Sequence, residues 1–253
     1  MIKRFVATVV NAGLLFLLVS MFMLPVALVY VASDTLTTPA TVAGAKKTSS
    51  EITVLPNFFD FSEHVTFNLE PTANGFFDSL EATSFRSQLA TYHKLYTVIN
   101  RSDRAVTVRG VIAEKPEPSV AYQRLIITLA KNGQAHSALT VKNATQGDIS
   151  MIVSDESVLE ETDTLIIGDR VISVLNANGK MATVDPLDQE IIAGTAVYRN
   201  GVLVSDGKVY QSRTGDVYLE PGESLSVNMF ITGRTDVDTQ AVTIPFVITT
   251  IQD

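Results

Sequence analysis

The chain has 253 residues, 46% of them hydrophobic, no cysteine, no tryptophan and a formal net charge of −8. Without cysteine it has no disulfides, thiolate zinc sites, haem attachment or thiol catalysis. The acidic balance opposes nucleic-acid binding, in which basic patches replace phosphate counterions.

From Phe5 to Ser33 there is no charged residue, while Lys3 and Arg4 precede the run and Asp34 follows it. A helix over Phe5–Ala32 would be about 42 Å long, more than the ~30 Å hydrocarbon core requires. The two cations favour a cytoplasmic N-terminus and translocation of everything after residue 33. The run is longer than the roughly 7–15 apolar residues of a cleaved signal, so residues 1–33 are expected to form a retained transmembrane signal-anchor. Val31-Ala32-Ser33 and Ala43-Gly44-Ala45 are small-residue patterns that would suit cleavage instead. Beyond residue 33 lie all 27 acids and 17 of the 19 basic residues, a balance that suits a soluble, self-repelling surface. Residues 34–50, rich in Thr, Ala, Ser and Gly, read as a flexible tether.

From Glu51 onward the pattern is period two broken by frequent turns, the signature of strands. One helix candidate intervenes, with Phe77, Leu80, Phe85 and Leu89 near one helical face. Val106, Val108 and Ile112 alternate with smaller or polar residues, and Glu114–Pro118 reads as an extended loop. Leu125, Ile127 and Leu129 share a face of the next strand, before Asn132-Gly133. The middle reads as hairpins turning at Asn178-Gly179, Asn200-Gly201 and Asp206-Gly207, since type I′ turns need positive φ at both central residues. Leu225, Val227, Met229 and Ile231 alternate with polar neighbours, and Val242, Ile244, Phe246 and Ile248 share a face of the last strand. Pro245 there removes a ladder donor, which predicts an edge strand or a bulge.

The expected fold is all-β: an antiparallel β-sandwich, Ig-like or jelly-roll-like, with an N-terminal transmembrane helix. The sandwich domain is expected over residues 51–253, with a β-meander insertion at about 146–215. Two smaller sandwiches split near Asn143 are the alternative.

Motifs for chemistry are sparse. His64, His93 and His136 stand apart in the sequence, without partners at metal-ligand spacing. No metalloprotease helix, nucleophile elbow or phosphate loop occurs. Asp155, Glu156, Glu160, Glu161 and Asp163 lack the Asp/Asn alternation and central glycine of a calcium loop, so a solvated acidic loop is expected there and calcium is the lesser reading. Asp236 and Asp238 are expected to shape the turn before the last strand. Asn100-Arg101-Ser102 and Asn143-Ala144-Thr145 match the glycosylation pattern. Tyr92, Tyr96 and Tyr122 are candidates for an aromatic platform on a binding module, or alternatively for core positions.

Two stretches carry a resemblance. Thr97-Val98-Ile99-Asn100-Arg101-Ser102-Asp103-Arg104-Ala105-Val106-Thr107-Val108 resembles the strand–turn–strand of exported Ig-like sandwiches. Leu219-Glu220-Pro221-Gly222-Glu223-Ser224-Leu225-Ser226-Val227 resembles their turn into a penultimate strand. The arrangement is similar to the camelysin and biofilm-matrix-fibre class of prokaryotic surface proteins. The resemblance implies subunits that pair strands between neighbours to build filaments.

These readings together predict a non-enzymatic cell-surface structural or interaction protein, with the alternative of an extracytoplasmic carbohydrate- or peptide-binding module. Its membrane contact would be residues 5–32 and its partner a protein or another copy; Val242–Ile251 is the candidate edge for strand pairing, against the favoured reading that this strand simply completes the sheet, and no cofactor, metal or catalytic residue is expected.

Overall fold

The structure, a computed structural model, describes residues 51–57, 60, 63–131, 134–159 and 164–251. The predicted membrane helix and tether lie outside the described residues, as do Asn132-Gly133, Glu160, Glu161 and Asp163. Among the described residues no helix is long and apolar enough to cross a membrane.

The described chain is all-β and its strands pair antiparallel. The first seven strands are β1 (Ile52–Pro56), β2 (Val65–Thr66), β3 (Leu69–Thr72), β4 (Gly75–Ser84), β5 (Leu89–Asn100), β6 (Val106–Ile112) and β7 (Tyr122–Lys131). Six short strands follow: β8 (Ser137–Leu139), β9 (Ser150–Ile152), β10 (Thr164–Ile167), β11 (Arg170–Asn178), β12 (Met181–Val184) and β13 (Ala196–Arg199). The chain closes with β14 (Val202–Ser205), β15 (Lys208–Gln211), β16 (Val217–Leu219), β17 (Ser224–Gly233) and β18 (Gln240–Ile251).

Two sheets face each other as a sandwich. One has the order β1-β5-β17-β7-β14-β15, the other β16-β6-β18-β4-β2, with β3 also on β4. Alternation supplies the core: Leu125, Ile127 and Leu129 from β7 and Leu225, Val227, Met229 and Ile231 from β17 meet Val242, Ile244, Phe246 and Ile248 of β18. The faces assigned to these three strands from the sequence are the ones observed. One buried carboxyl interrupts this core, Asp78, which accepts from the Tyr96 hydroxyl across the sheets and from the Asn68 N–H at 2.6 Å.

The strands β8–β13 form a separate body. Their sheet has the order β8-β13-β10-β11-β12-β9, and a bridge between Thr140 and Val153 joins its two outer strands. Val141 N donates to Ile152 O at 2.8 Å and Ser154 N to Leu139 O at 2.8 Å, so the sheet closes into a small barrel without free edges. Its interior is filled by Met151, Val153, Leu165, Ile167, Val174 and Val184, with Val158 and Leu159 from a single 3₁₀ turn.

The barrel interrupts a hairpin. β14 pairs directly with β7, Val202 opposite Ile127 and Ser205 opposite Arg124, so residues 132–201 are the excursion. The insertion expected at about 146–215 is therefore displaced: β8 belongs to the barrel, while β14 and β15 belong to the sandwich. The boundary is missed because Asn200-Gly201 imitates a hairpin turn. Asn200 does have positive φ (42°), but β13 and β14 lie in different sheets and the turn carries the chain from barrel to sandwich. Asp206-Gly207 is a true two-residue hairpin with both φ values positive, joining Ser205 to Lys208.

Two further expectations are corrected. The helix candidate at Phe77–Leu89 is the end of β4, a turn and the start of β5, and the inward residues of β4 are Asp78, Leu80, Ala82 and Ser84. Its helical spacing arose from residues on two different strands. The last strand, expected at an edge, is central, flanked by β4 and β6. Pro245 is tolerated because its carbonyl, and the side where its N–H would be, face Ala113, just past the last paired residue of β6. Pairing resumes two residues earlier on β18, where Thr243 exchanges both backbone bonds with Glu117. The missing donor therefore falls in a gap of the ladder.

The barrel docks on the back of the first sheet through Ile126, Leu203 and Phe230 from the sandwich and Ile166 and Tyr198 from the barrel. Tyr198 and Phe230 rings lie 4.7 Å apart. Deleting a buried phenyl leaves a cavity that costs about 3–5 kcal/mol. Phe230→Ala is expected to lower the unfolding free energy by that amount, seen as a lower urea midpoint, and to separate barrel from sandwich unfolding. Urea titration followed by hydrogen exchange of the two bodies checks this, and unchanged single-step unfolding would contradict it.

Candidate functional site

The junction of barrel and sandwich gathers side chains that the sequence scatters. On one side it opens into a groove. A cavity of about 460 Å³ lies between the β10–β11 turn, the segment around Asp185–Asp188 and Tyr210 of β15. A second, of about 580 Å³, continues past Tyr210 along residues 211–216 to Arg109 and Asn200. Tyr210 borders both and is half exposed. It owes that position to a β-bulge: Leu203 and Val204 of β14 face Gln211 and Val209, leaving Tyr210 as the extra residue on the edge strand. Bulges turn a side chain out of the regular alternation. The Lys208 ammonium sits 4.9 Å from the ring centroid, a cation–π contact on the ring.

Most charges around the groove are spent on each other. Asp169, in the β10–β11 turn, accepts from Arg124 Nε at 2.9 Å and from Ser205 Oγ at 2.8 Å, tying barrel to sandwich. Arg170 pairs with Asp188. Arg109 holds Asp216 in a bidentate pair, both contacts 2.6 Å. At the groove's inner end Asn200 Oδ1 accepts from Thr164 N at 2.7 Å, and Gln211 Nε2 donates to Gly201 O at 2.8 Å. These bonds set the walls; Tyr210, Asp185 and Arg213 project beside them as exposed groups.

On the other side of the junction is a closed polar cluster around His136. Its Nδ1 lies 3.2 Å from Thr128 Oγ1 and its Nε2 3.1 Å from Ser226 Oγ. Thr128 and Ser226 are buried on the back of β7 and β17, and the His136 carbonyl accepts from Arg199 N of the barrel at 3.3 Å. Beside them Asn228 accepts from Lys94 N at 2.6 Å through Oδ1, stabilising Lys94 at positive φ (52°) where β5 bulges against β17. Nδ2 of Asn228 is buried without a partner. Burial, reinforced by nearby His93 and Lys94, pulls His136 down to about 4. Although Ser226 and His136 touch, the other ring nitrogen meets a threonine hydroxyl rather than a carboxylate, and the barrel covers the pair. His136, isolated in the sequence, is a satisfied structural histidine that clasps barrel to sandwich.

The remaining sequence candidates disperse. His64 is exposed and packs edge-on against Phe85 at 5.1 Å, and His93 packs edge-on against Phe230 at 6.0 Å. Tyr92, Tyr96 and Tyr122 are all buried, which excludes them as an aromatic platform. Their hydroxyls are engaged: Tyr92 donates to Thr83 O at 2.7 Å, Tyr122 to Pro116 O at 3.1 Å, and Tyr96 to Asp78. Asp155 accepts from Ser157 N at 2.9 Å and caps the 3₁₀ turn. No group of three metal-binding side chains occurs among the described residues. Asp236 and Asp238 shape their turn as expected, paired with Arg234 at 3.1 Å and Arg86 at 3.2 Å.

Asn100 proves not to be a surface acceptor for sugar. It is fully buried, and its Nδ2 donates to Arg104 O at 2.8 Å and Leu219 O at 3.0 Å. Its backbone N–H donates to Glu223 O, and its carbonyl accepts from Gly222 N, both at 3.0 Å. The two stretches singled out by resemblance, 97–108 and 219–227, are thus clamped together at one end of the sandwich. Asn143 is exposed. Tyr210 was missed because an alternating hairpin strand gives no sign of a bulge.

No family model matches the chain, and no curated protein matches it. Among solved structures, the xylan-binding CBM22-1 domain of Paenibacillus barcinonensis Xyn10C is 14% identical, covering 82% of this chain and 90% of that one, with a TM-score of 0.21. The exoplasmic/lumenal domain of VIP36 in its Ca²⁺/Man3GlcNAc-bound form is 11% identical over 75% and 84%, TM-score 0.22. Lectin II from Ulex europaeus is 10% identical over 79% and 98%, TM-score 0.17. Scores at this level carry no inference about family or ligand.

The pH dependence of the junction follows from His136. Its folded pKa is below the ordinary 6.5, so its contribution is fully present above 6.5 and is lost as pH falls through about 4. At 1.36 kcal/mol per unit the full loss is on the order of 3 kcal/mol. Asp78 acts in the opposite sense, because burial raises its pKa above 3.8 despite the Tyr96 and Asn68 hydrogen bonds. Its contribution is full below 3.8 and is lost as pH rises through the raised value. The difference between wild type and His136→Gln, measured by urea unfolding from pH 7 to 4, isolates the histidine. The wild-type advantage is expected to shrink steadily on acidification; a difference independent of pH would contradict the assignment.

Proposed function

We propose that the chain is a non-enzymatic envelope protein that acts by contact. Residues 5–32 hold it in the membrane, residues 34–50 lift the domain, and the sandwich with its barrel stands on the extracytoplasmic side. The observation that carries this reading is the junction groove: its Asp169, Asp188 and Asp216 are committed to salt bridges, and the carboxylate left over, the exposed Asp185, has no described histidine beside it in the groove. General acid–base work needs a free titratable group within reach of a nucleophile or water, whereas recognition needs a shaped, pre-organised wall.

The resemblance to the camelysin and biofilm-matrix-fibre class supports a structural role in the same envelope. Strand pairing between copies through β18 is closed to it, because both edges of that strand are taken. A filament would have to use an outer strand of either sheet.

A second reading, a carbohydrate-binding module, is favoured by the half-exposed Tyr210 at the middle of the groove.

The test is N-terminal mass spectrometry on protein recovered from its native envelope, combined with membrane fractionation and surface crosslinking. Membrane-bound protein with an intact Met1 terminus, crosslinked to a partner or to itself, is expected. Soluble, uncrosslinked protein beginning near Asp34 or Lys46 would overturn the anchored-contact reading.

A further inference from the structure

We propose that the junction groove binds an uncharged oligosaccharide, with one sugar ring against the face of Tyr210; this names the ligand class of the contact reading and rests on it.

Three observations point to this ligand. The first is the aromatic ring itself. Tyr210 is half exposed and borders two adjoining cavities lined by residues of both barrel and sandwich. Lys208 lies over one face of this ring; the apolar surface it leaves uncovered is what the C–H side of a sugar ring would meet, while the surrounding donors and acceptors meet its hydroxyls. Binding sites of this kind join a few placed polar groups to an aromatic wall.

The second is the state of the charges. Asp169, Asp188 and Asp216 are each paired with an arginine, Arg124, Arg170 and Arg109. Paired carboxylates and guanidiniums keep free lone pairs and N–H groups, held in fixed planes that suit vicinal hydroxyls. They offer little net attraction to a charged ligand, which would have to break a pair to be neutralised. Outside those pairs the groove keeps charges of both signs, Asp185 and Arg213, beside the Ser212 hydroxyl, so neither sign dominates it.

The third observation separates a sugar from a peptide. An extended peptide docks most readily by adding a strand to a free sheet edge, and β15 is such an edge. The bulge at Tyr210 breaks the spacing of its backbone donors and acceptors, a device that blocks strand addition. The edge is thus closed to a peptide by the same residue that presents the ring.

The experiment uses the full-length chain in a detergent without a sugar headgroup. Binding is measured by calorimetry against hexasaccharides of β-1,4-glucose, β-1,4-xylose, α-1,4-glucose and β-1,4-N-acetylglucosamine, with oligogalacturonate and hexalysine as charged probes. At least one neutral hexasaccharide is expected to bind with an affinity that changes little between about 50 and 500 mM salt. Tyr210→Ala is expected to weaken it by about tenfold or more, Tyr210→Phe to retain most of it, and Tyr218→Ala, at an exposed tyrosine outside the groove, to leave it unchanged. Folding of each variant is checked by its urea midpoint. No binding of any neutral hexasaccharide, binding indifferent to Tyr210→Ala in a folded variant, or preference for hexalysine or oligogalacturonate would each overturn the proposal. Envelope crosslinks that persist in such a case would leave the contact reading standing.

Discussion

The structure depends on a sheet that is covered on both faces. In an ordinary sandwich, a strand such as β17 shows one face to the core and one to water. Here Ser226, Asn228 and Phe230, on its outward face, are as buried as Val227, Met229 and Ile231 on the inward one. The cover is the barrel, and the contact is small: five side chains, centred on Phe230 and Tyr198. At roughly 25 cal/mol per Å² of apolar surface, such a contact holds two bodies together without fusing their cores. The polar groups caught under the cover then have to be satisfied locally. His136 bonded to two hydroxyls, the Asn228 Oδ1 bonded to Lys94 N and the buried Ser205 hydroxyl bonded to Asp169 answer that requirement, while Asn228 Nδ2 is left without a partner.

Much of this could be read in the sequence, but only one sheet at a time. Period-two alternation located β7, β17 and β18 and assigned their core faces correctly, because one face of each packs against the opposite sheet whatever covers the other. The same rule cannot see a second cover. Phe230 looks like an exposed position beside Ile231, and Ser226 and Asn228 like solvent-facing residues. The topology was misread for a related reason. Asn-Gly reports backbone conformation at a turn, and Asn200 does adopt positive φ; which strands the turn joins is decided by pairing far away in sequence. Pro245 gives the same lesson. It states correctly that a donor is missing, yet whether that means an edge or a gap in a neighbour depends on where β6 ends.

The candidate site was less legible than the fold. Tyrosines were sought where they cluster, at Tyr92, Tyr96 and Tyr122, and burial decides against all three. Clustered aromatics on alternating strands fill a core because both large rings and alternation serve burial. The tyrosine that reaches the surface groove does so through an irregularity, a bulge that shifts one residue out of register. The resemblance fared differently. Its two stretches lie more than a hundred residues apart, and Asn100 joins them with bonds to Leu219, Gly222 and Glu223. That clasp explains why an Asn and a Pro-Gly turn sit at those places on physical grounds alone: a buried amide can close two backbone carbonyls at a crossing point that no apolar side chain could satisfy.

The insertion also accounts for the position of the groove. A hairpin between β7 and β14 without the excursion would leave β15 as a plain exposed edge, with Tyr210 on a convex surface. Returning the chain from the barrel at Asn200-Gly201 brings β11 alongside β15 and sets Asp169 against Arg124. The concavity is therefore a product of two bodies, and neither could form it alone. A site made in this way depends on the docking contact: whatever loosens Phe230 from Tyr198, or charges His136, also moves one wall of the groove relative to the other. If the proposed ligand bridges Tyr210 and the barrel wall, its binding and the stability of the junction are coupled through the same five apolar side chains, and it would tighten the docking contact by the free energy with which it prefers the closed junction.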